Sequence, residues 1–486
     1  MALRLVFIVL CLLENAARAS AQVEPEPEQQ LKATSFSVVE IVPRRTEHAD
    51  TGVLLRPERF APLVGHVARG ARIGVRGQVE VADSGRCDAS IYYALEPFGY
   101  LCADDAQASA QPLTTGTVLE LITGSPLPYE YVMVNIPEGE LVPLWGSPSD
   151  IVNGNSAKRM LGRGDSIAVE PQTMQVEGQR YRVSVDGDLV STEHTYKLRR
   201  FSLWQGSAID QETHLPFGWV TPRKAPVFDA PRGNKVRELV RRERIDIFEE
   251  QLVNNRRWLR IAENEFVRAN DINEVRFSPR PEGTNQHPQW IDVDLGEQVV
   301  VAYRGETPQY ATLISSGRPP NRTPRGDYPI WGKASSISMK SQPYDDKPYY
   351  VDRVPWVLFF QAHNALHGAY WHDRFGIMKS HGCINLSPKD ARFLFEWVEP
   401  KLPAGWTALH FSDLSKTPVV HVRNSLYRKP FRQERKIGPP DPKEEAERLA
   451  QAEARRELER QEQALQQSES DEALDSSRPE EEKEQQ

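Results

Sequence analysis

At 486 residues the chain is too long for one hydrophobic core, so several domains are expected. Its 60 basic and 68 acidic residues leave a formal net charge of −8. That balance gives no basic excess to hold nucleic acid, and no such partner is expected.

The first residues have the layout of an export signal. Arg4 gives a positive start, Leu5 to Leu13 form a short apolar run, and Ala19-Ser20-Ala21 is a small-X-small cleavage site. Residues 1–21 therefore read as a signal peptide, with an uncleaved anchor as the alternative. The run is well short of the ~20 residues a span requires, so no stable membrane span is expected. Residues 22–50 are rich in Glu, Pro and Gln without periodicity, the composition of a flexible leader.

Three similar segments follow, at 51–108, 129–199 and 216–276. Each opens on an apolar-Pro pair (Ala61-Pro62, Val142-Pro143, Ala225-Pro226), passes through a basic turn into an alternating strand, and closes with an aromatic strand and a hairpin. Period-two alternation with turns of this kind predicts small antiparallel barrels. The pattern resembles the bacterial SH3-like module. Such modules would hold the protein near a polymer or pack beside an active site, or serve as spacers.

The chain contains four cysteines, Cys11, Cys87, Cys102 and Cys383. Cys87 and Cys102 flank an aromatic strand and suit a short disulfide loop, worth on the order of 3 kcal/mol in an oxidising compartment. The alternative is a pair of ordinary buried thiols. With the signal removed, Cys383 is the odd thiol.

From residue 288 onward the pattern is again mostly strand. Trp290–Leu295, Gln298–Tyr303 and Tyr310–Ser315 alternate, with Gly305 turning the chain. The aromatic stretch Tyr344–Trp356 reads as a lid or a structured loop. A helix is predicted after Ser387, with Ser387 as N-cap, Pro388 in first place and Phe393, Leu394, Trp397 and Val398 on its apolar face. The tail 430–486 is helical or disordered. From Asp441 onward it carries net −9, so the body is close to neutral.

The chemistry concentrates in Ser380-His381-Gly382-Cys383-Ile384-Asn385, with His367-Gly368 upstream. A free thiol is a weak nucleophile until an imidazole takes its proton, and two imidazoles are offered. Zinc is not expected: the spacing is not that of a finger, and a metal-bound cysteine would not attack. No cofactor is called for either.

Those residues, with Ala369-Tyr370-Trp371-His372, Leu386-Ser387-Pro388-Lys389-Asp390-Ala391 and Thr323-Pro324-Arg325-Gly326, resemble the signature of the L,D-transpeptidases, the YkuD-type catalytic domain, over 288–412. The resemblance implies a mainly β chain, with a β-sandwich catalytic domain preceded by up to three SH3-like barrels. It implies a cysteine acyltransferase acting on peptidoglycan stem peptides. Cys383 would be the nucleophile and His367 the base, its ring oriented by the Gly368 carbonyl; His381 is the other candidate base. Gly382 and Cys383 would donate amides to the oxyanion, and Ser380 would orient the loop. Asn385 would bind substrate or pin the loop, and Tyr370, Trp371 and His372 would line the pocket or pack. The location implied is the periplasm or cell wall. An L,D-carboxypeptidase with the same site and a non-catalytic wall-binding protein stand as alternatives.

Overall fold

A computed structural model describes residues 31–43, 50–58, 60–82, 87–116, 119–285, 287–341 and 349–425. The signal peptide, most of the leader and the charged tail lie outside the described residues, as does the front of the expected lid.

The C-terminal part is a sandwich of two sheets. One has six strands, in the order Ser207–Ala208, Thr307–Leu313, Val299–Arg304, Gln289–Asp294, Val419–Arg423 and Gly326–Pro329. Alternation explains what its strands face. Ile291, Val293, Val300 and Ala302 point into a core shared with the helix Pro388–Trp397. Trp290, Val299, Val301 and Tyr303 point the other way, onto Phe217, Trp219 and Val275 of the third N-terminal segment. Successive side chains of a strand leave opposite faces, so a strand buried on both sides must be apolar at every step. Asp292 and Asp294 are buried carboxylates in this sheet, and Arg423 neutralises both at 2.6–2.8 Å. The strand carrying Arg423 extends the sandwich beyond the expected limit of 412 by pairing in parallel with Gln289–Asp294.

The opposing sheet contains Gly332–Lys340, Tyr350–Gln361, Asn364–Gly368, Ile384–Leu386 and Trp406–His410. The expected lid is thus strand from Tyr350 onward. The helix starts as predicted, with Ser387 Oγ accepting the Asp390 N–H at 3.2 Å. Its buried face is Ala391, Leu394, Phe395 and Val398, while Phe393 and Trp397 are only partly covered. Asp390 is also inward and fully satisfied: it accepts from Tyr310, Thr312, Ser387 and the Gly206 amide.

The N-terminal segments depart from the expected closed barrels. Among the described residues none closes on itself. Leu63–Ala68 of the first pairs antiparallel with Trp406–His410, so that Trp406 completes the first segment's core. Ser166 in the second bridges in parallel to Val351 of the catalytic sheet. The third is two sheets, of three and five strands, around one core. Edges that are open invite pairing, and here the catalytic sheet supplies the partner. Val38–Ile41, expected in the flexible leader, is a strand between Arg72–Glu80 and Ala106–Ala108. A disulfide joins Cys87 to Cys102. No described helix is long and apolar enough to cross a membrane.

Candidate active site

Two neighbouring parallel strands, Asn364–Gly368 and Ile384–Leu386, build the site. Leu366 lies opposite Ile384 and His367 opposite Asn385, so His367 shares a sheet face with Asn385, and Cys383 stands immediately before the second strand. The loop Ser380–Cys383 enters the second strand through a turn with Gly382 at φ +127°, a conformation that favours glycine. A Cβ there would also lie 2.5 Å from Asn364 Oδ1.

Other segments hold this loop. Thr323 Oγ1 donates to the Gly382 carbonyl at 2.7 Å and accepts the Gly317 N–H at 2.9 Å. The Lys379 and Ser380 amides both donate to the Ser316 carbonyl, and Gln298 clasps Ser316 from behind. Ser380 Oγ donates to the Cys383 carbonyl and accepts the Gly382 N–H at 3.1 Å. That last bond engages the Gly382 amide, expected at the oxyanion, with Ser380 Oγ.

Cys383 is the free cysteine among the described residues and is half-buried. Its Sγ lies 3.7 Å from the His363 carbonyl. The packed surroundings push the thiol up to about 11, with the Ala365 amide opposing in part. His367 is 2% exposed. Burial lowers it to about 4, against a weaker opposing contribution from the Gly368 carbonyl, 3.4 Å from Nδ1. That contact places the ring proton on Nδ1 and the lone pair on Nε2. Both groups therefore rest neutral near pH 7, the thiol as a proton donor and the imidazole as an acceptor.

Asn385 and His372 form a pair, with the amide nitrogen 2.9 Å from Nε2. His372 Nδ1 accepts the Arg374 N–H at 3.2 Å. Burial first, then the Lys379 cation, hold His372 down at about 3. Trp371 stacks on His367 with ring centres 5.8 Å apart. His381 is exposed and stacks on Tyr349 at 5.1 Å.

A cavity of about 220 Å³ brings His367, Trp371, Ser380, His381, Cys383 and Asn385 together. Gly368, Gly382, Tyr370 and His372 do not line it. Tyr370, expected at the substrate, is fully buried. It stacks on Tyr131 at 3.6 Å, and its hydroxyl contacts Ser166 Oγ at 2.8 Å and the Asp352 carbonyl at 2.6 Å. Gly164 and Ser166 of the second N-terminal segment line the cavity as well, as do Arg318 and Lys379. Local motifs do not reveal Gly164 or Ser166, which arrive through a contact across the sequence. A larger cleft, about 500 Å³, opens where the first two segments meet the catalytic sheet, and among the described residues it is lined by no cysteine or histidine. Among the described residues, the one group placed to share a metal ion is Cys87, Cys102 and Asp104, and its two sulfurs are bonded to each other.

Residues 288–420 match the family model described as the L,D-transpeptidase catalytic domain, YkuD. A cysteine-to-serine mutant of the Enterococcus faecium L,D-transpeptidase is 24% identical over 28% of this chain and 50% of its own, with TM-score 0.23. The isolated catalytic domain from Enterococcus faecium is 27% identical over 28% of this chain and 96% of its own, also at 0.23. An L,D-transpeptidase from Mycobacterium smegmatis is 16% identical over 35% and 66%, again at 0.23. This chain covers only about half the length of the first of them. No curated protein matches.

Proposed function

Since residues 288–420 form a YkuD-type L,D-transpeptidase catalytic domain, we propose that the protein cross-links peptidoglycan stem peptides through a thioester on Cys383. The observation that carries this reading is the meeting of a thiol outside any disulfide and a buried neutral imidazole, Cys383 and His367, at one cavity, with His367 opposite Asn385 in the sheet register.

The steps follow from the resting protonation. Cys383 Sγ attacks the scissile carbonyl carbon while its proton passes to His367 Nε2. The tetrahedral intermediate collapses, the C–N bond breaks, and His367 returns the proton to the leaving amine. The acyl group remains as a thioester. An amine of a second stem then attacks, gives up a proton through His367, and expels the thiolate, which is reprotonated. The oxyanion would be met by the Cys383 amide, with His381 at the cavity wall as a second donor. The thioester stores the energy of the cleaved amide, so the cycle calls for no metal or organic cofactor.

His367 is favoured over His381 as base because it is buried, has one nitrogen fixed by the Gly368 carbonyl and lies opposite Asn385, two residues from Cys383, in the sheet register. The Cys87–Cys102 disulfide supports action outside the cytoplasm, in the periplasm or cell wall. The second N-terminal segment, SH3-like in pattern, acts here as part of the pocket wall through Gly164 and Ser166.

Water as acceptor would make the same residues an L,D-carboxypeptidase. Incubating the purified protein with tetrapeptide muropeptides and weighing the products separates the two: cross-linked dimers support transpeptidation, and trimmed tripeptides alone support hydrolysis. Equal product from Cys383→Ala would remove both readings.

A further inference from the structure

A short strap, Asp373 to Gly376, leads into the loop that carries Cys383, and the third N-terminal segment holds it at several points. Arg241 and Arg242 both donate to the Asp373 carbonyl, at 2.8 and 3.1 Å, and Arg242 also pairs with the Asp373 carboxylate. The Phe375 ring lies in the core that Phe217, Trp219 and Val275 share with the catalytic sheet. Asn273 Nδ2 donates to the Gly376 carbonyl at 3.1 Å. Between these anchors, Ser315 Oγ donates to the Arg374 carbonyl at 2.6 Å.

Asn273 reaches further than the strap. It is buried in the strand Ile272–Val275, and its Nδ2 also donates to the Glu297 carbonyl. The neighbouring Glu274 amide donates to the Glu297 carboxylate at 2.9 Å, so this turn is gripped twice. The next residue, Gln298, clasps Ser316, whose carbonyl accepts the Lys379 and Ser380 amides of the nucleophile loop. One side-chain amide thus spans both supports of that loop, the strap that enters it and the clasp beneath it. The Thr221 hydroxyl donates to Asn273 Oδ1 and fixes which way the amide faces. Asparagine suits the place because two carbonyls need N–H donors while a hydroxyl needs an acceptor. Gly376 completes the fit: its φ of +96° favours glycine, and a Cβ there would lie 3.1 Å from Asn273 Oδ1.

We propose that the third N-terminal segment sets the position of Cys383, with Asn273 as the positioning residue that locks the strap to the turn. Asn273 acts through Gly376 and Gln298, not on the reacting atoms. The consequence for turnover rests on the reading of Cys383 as an acyl-accepting nucleophile, whereas the hold on the loop does not.

The test is hydrogen exchange in the full chain, read by mass spectrometry on peptides covering residues 374–383. Asn273→Leu keeps the volume and removes the donors. Exchange of the Gly376, Lys379 and Ser380 amides should quicken about tenfold, the factor for loss of a buried hydrogen-bond donor. Thr221→Val removes only the hydroxyl that orients the amide, so it should act in the same direction and less, and it keeps the test open if Asn273→Leu does not fold. Val53→Ala, a comparable loss of packing in the core of the first segment, should leave these amides unchanged. Wild-type exchange in whichever of the first two variants folds overturns the proposal, and so does equal quickening in Val53→Ala.

A second arm measures turnover of a tetrapeptide donor. A misplaced thiol should lower kcat about tenfold in Asn273→Leu and leave KM within about twofold, since the donor still binds and only the attack suffers. An unchanged kcat overturns the role of Asn273 in positioning. If the wild-type protein turns over no donor, the transpeptidase reading fails, while the exchange arm still decides the hold on the loop.

Discussion

The hydroxyl of Tyr370 meets Ser166 Oγ at 2.8 Å, deep between the catalytic sheet and the second N-terminal segment. Tyr370 lies three residues beyond His367 in the sequence, and Ser166 itself lines the cavity that holds Cys383. The contact is reinforced on both sides. The Ala168 amide donates to Asp352 Oδ2 at 3.0 Å, and the Tyr350 amide donates to Asp165 Oδ1 at 2.7 Å. The second segment is thus built into the catalytic part. Tyr370→Phe should lower stability by about 1–3 kcal/mol, because it leaves the buried Ser166 hydroxyl and the Asp352 carbonyl without this partner. Chemical denaturation measures the loss, and a change below about 0.5 kcal/mol would contradict it.

Thr323 ties the loop down. Its hydroxyl serves the Gly317 amide and the Gly382 carbonyl at once. Thr323→Val should therefore cost about 1–3 kcal/mol and depress turnover, whereas Thr323→Ser should keep most of both. Urea midpoints and steady-state rates on the three proteins check the pattern.

His367 and His381 should separate by mutation. His367→Asn is expected to lower turnover on the order of 10²–10⁴-fold, the range of a lost general base. His381→Ala, at an exposed ring stacked on Tyr349, should cost less. The reverse order of effects would transfer the role of base to His381.

The depressed His367 also makes a stability prediction. Its folded value of about 4 lies below the ordinary 6.5, so the unfolded chain binds more protons between those limits. Stability linked to this group is fully present above about pH 6.5 and declines as the pH falls towards 4, by about 3 kcal/mol in total. His372, held at about 3, acts with the same sign. Urea midpoints between pH 7 and pH 4.5 should fall less steeply for His367→Asn than for the wild-type protein.

Much of the site was legible because its parts are local. The Ser387 cap, the strand alternation and the cluster around Cys383 depend on neighbours in sequence. What was hidden depends on packing. The alternating strands gave no sign that both faces would be buried, because the outer cover, Phe217 and Trp219, comes from a distant segment. The three segments read as self-contained barrels because their own patterns repeat, yet Trp406 and Val351 lie far along the chain and draw two of them into the catalytic sheet. Tyr370 looked like a substrate contact beside the motif, and only the fold shows Tyr131 and Ser166 covering it. The engaged Gly382 amide, too, follows from where Ser380 Oγ points, which spacing does not specify.

The most direct measurement is the intact mass of the protein after brief exposure to a tetrapeptide muropeptide. The wild-type protein should gain the mass of the donor less its departing residue, mapped to Cys383, and Cys383→Ala should gain nothing. An adduct on another residue, or undiminished turnover by Cys383→Ala, would contradict the thioester on which the account rests.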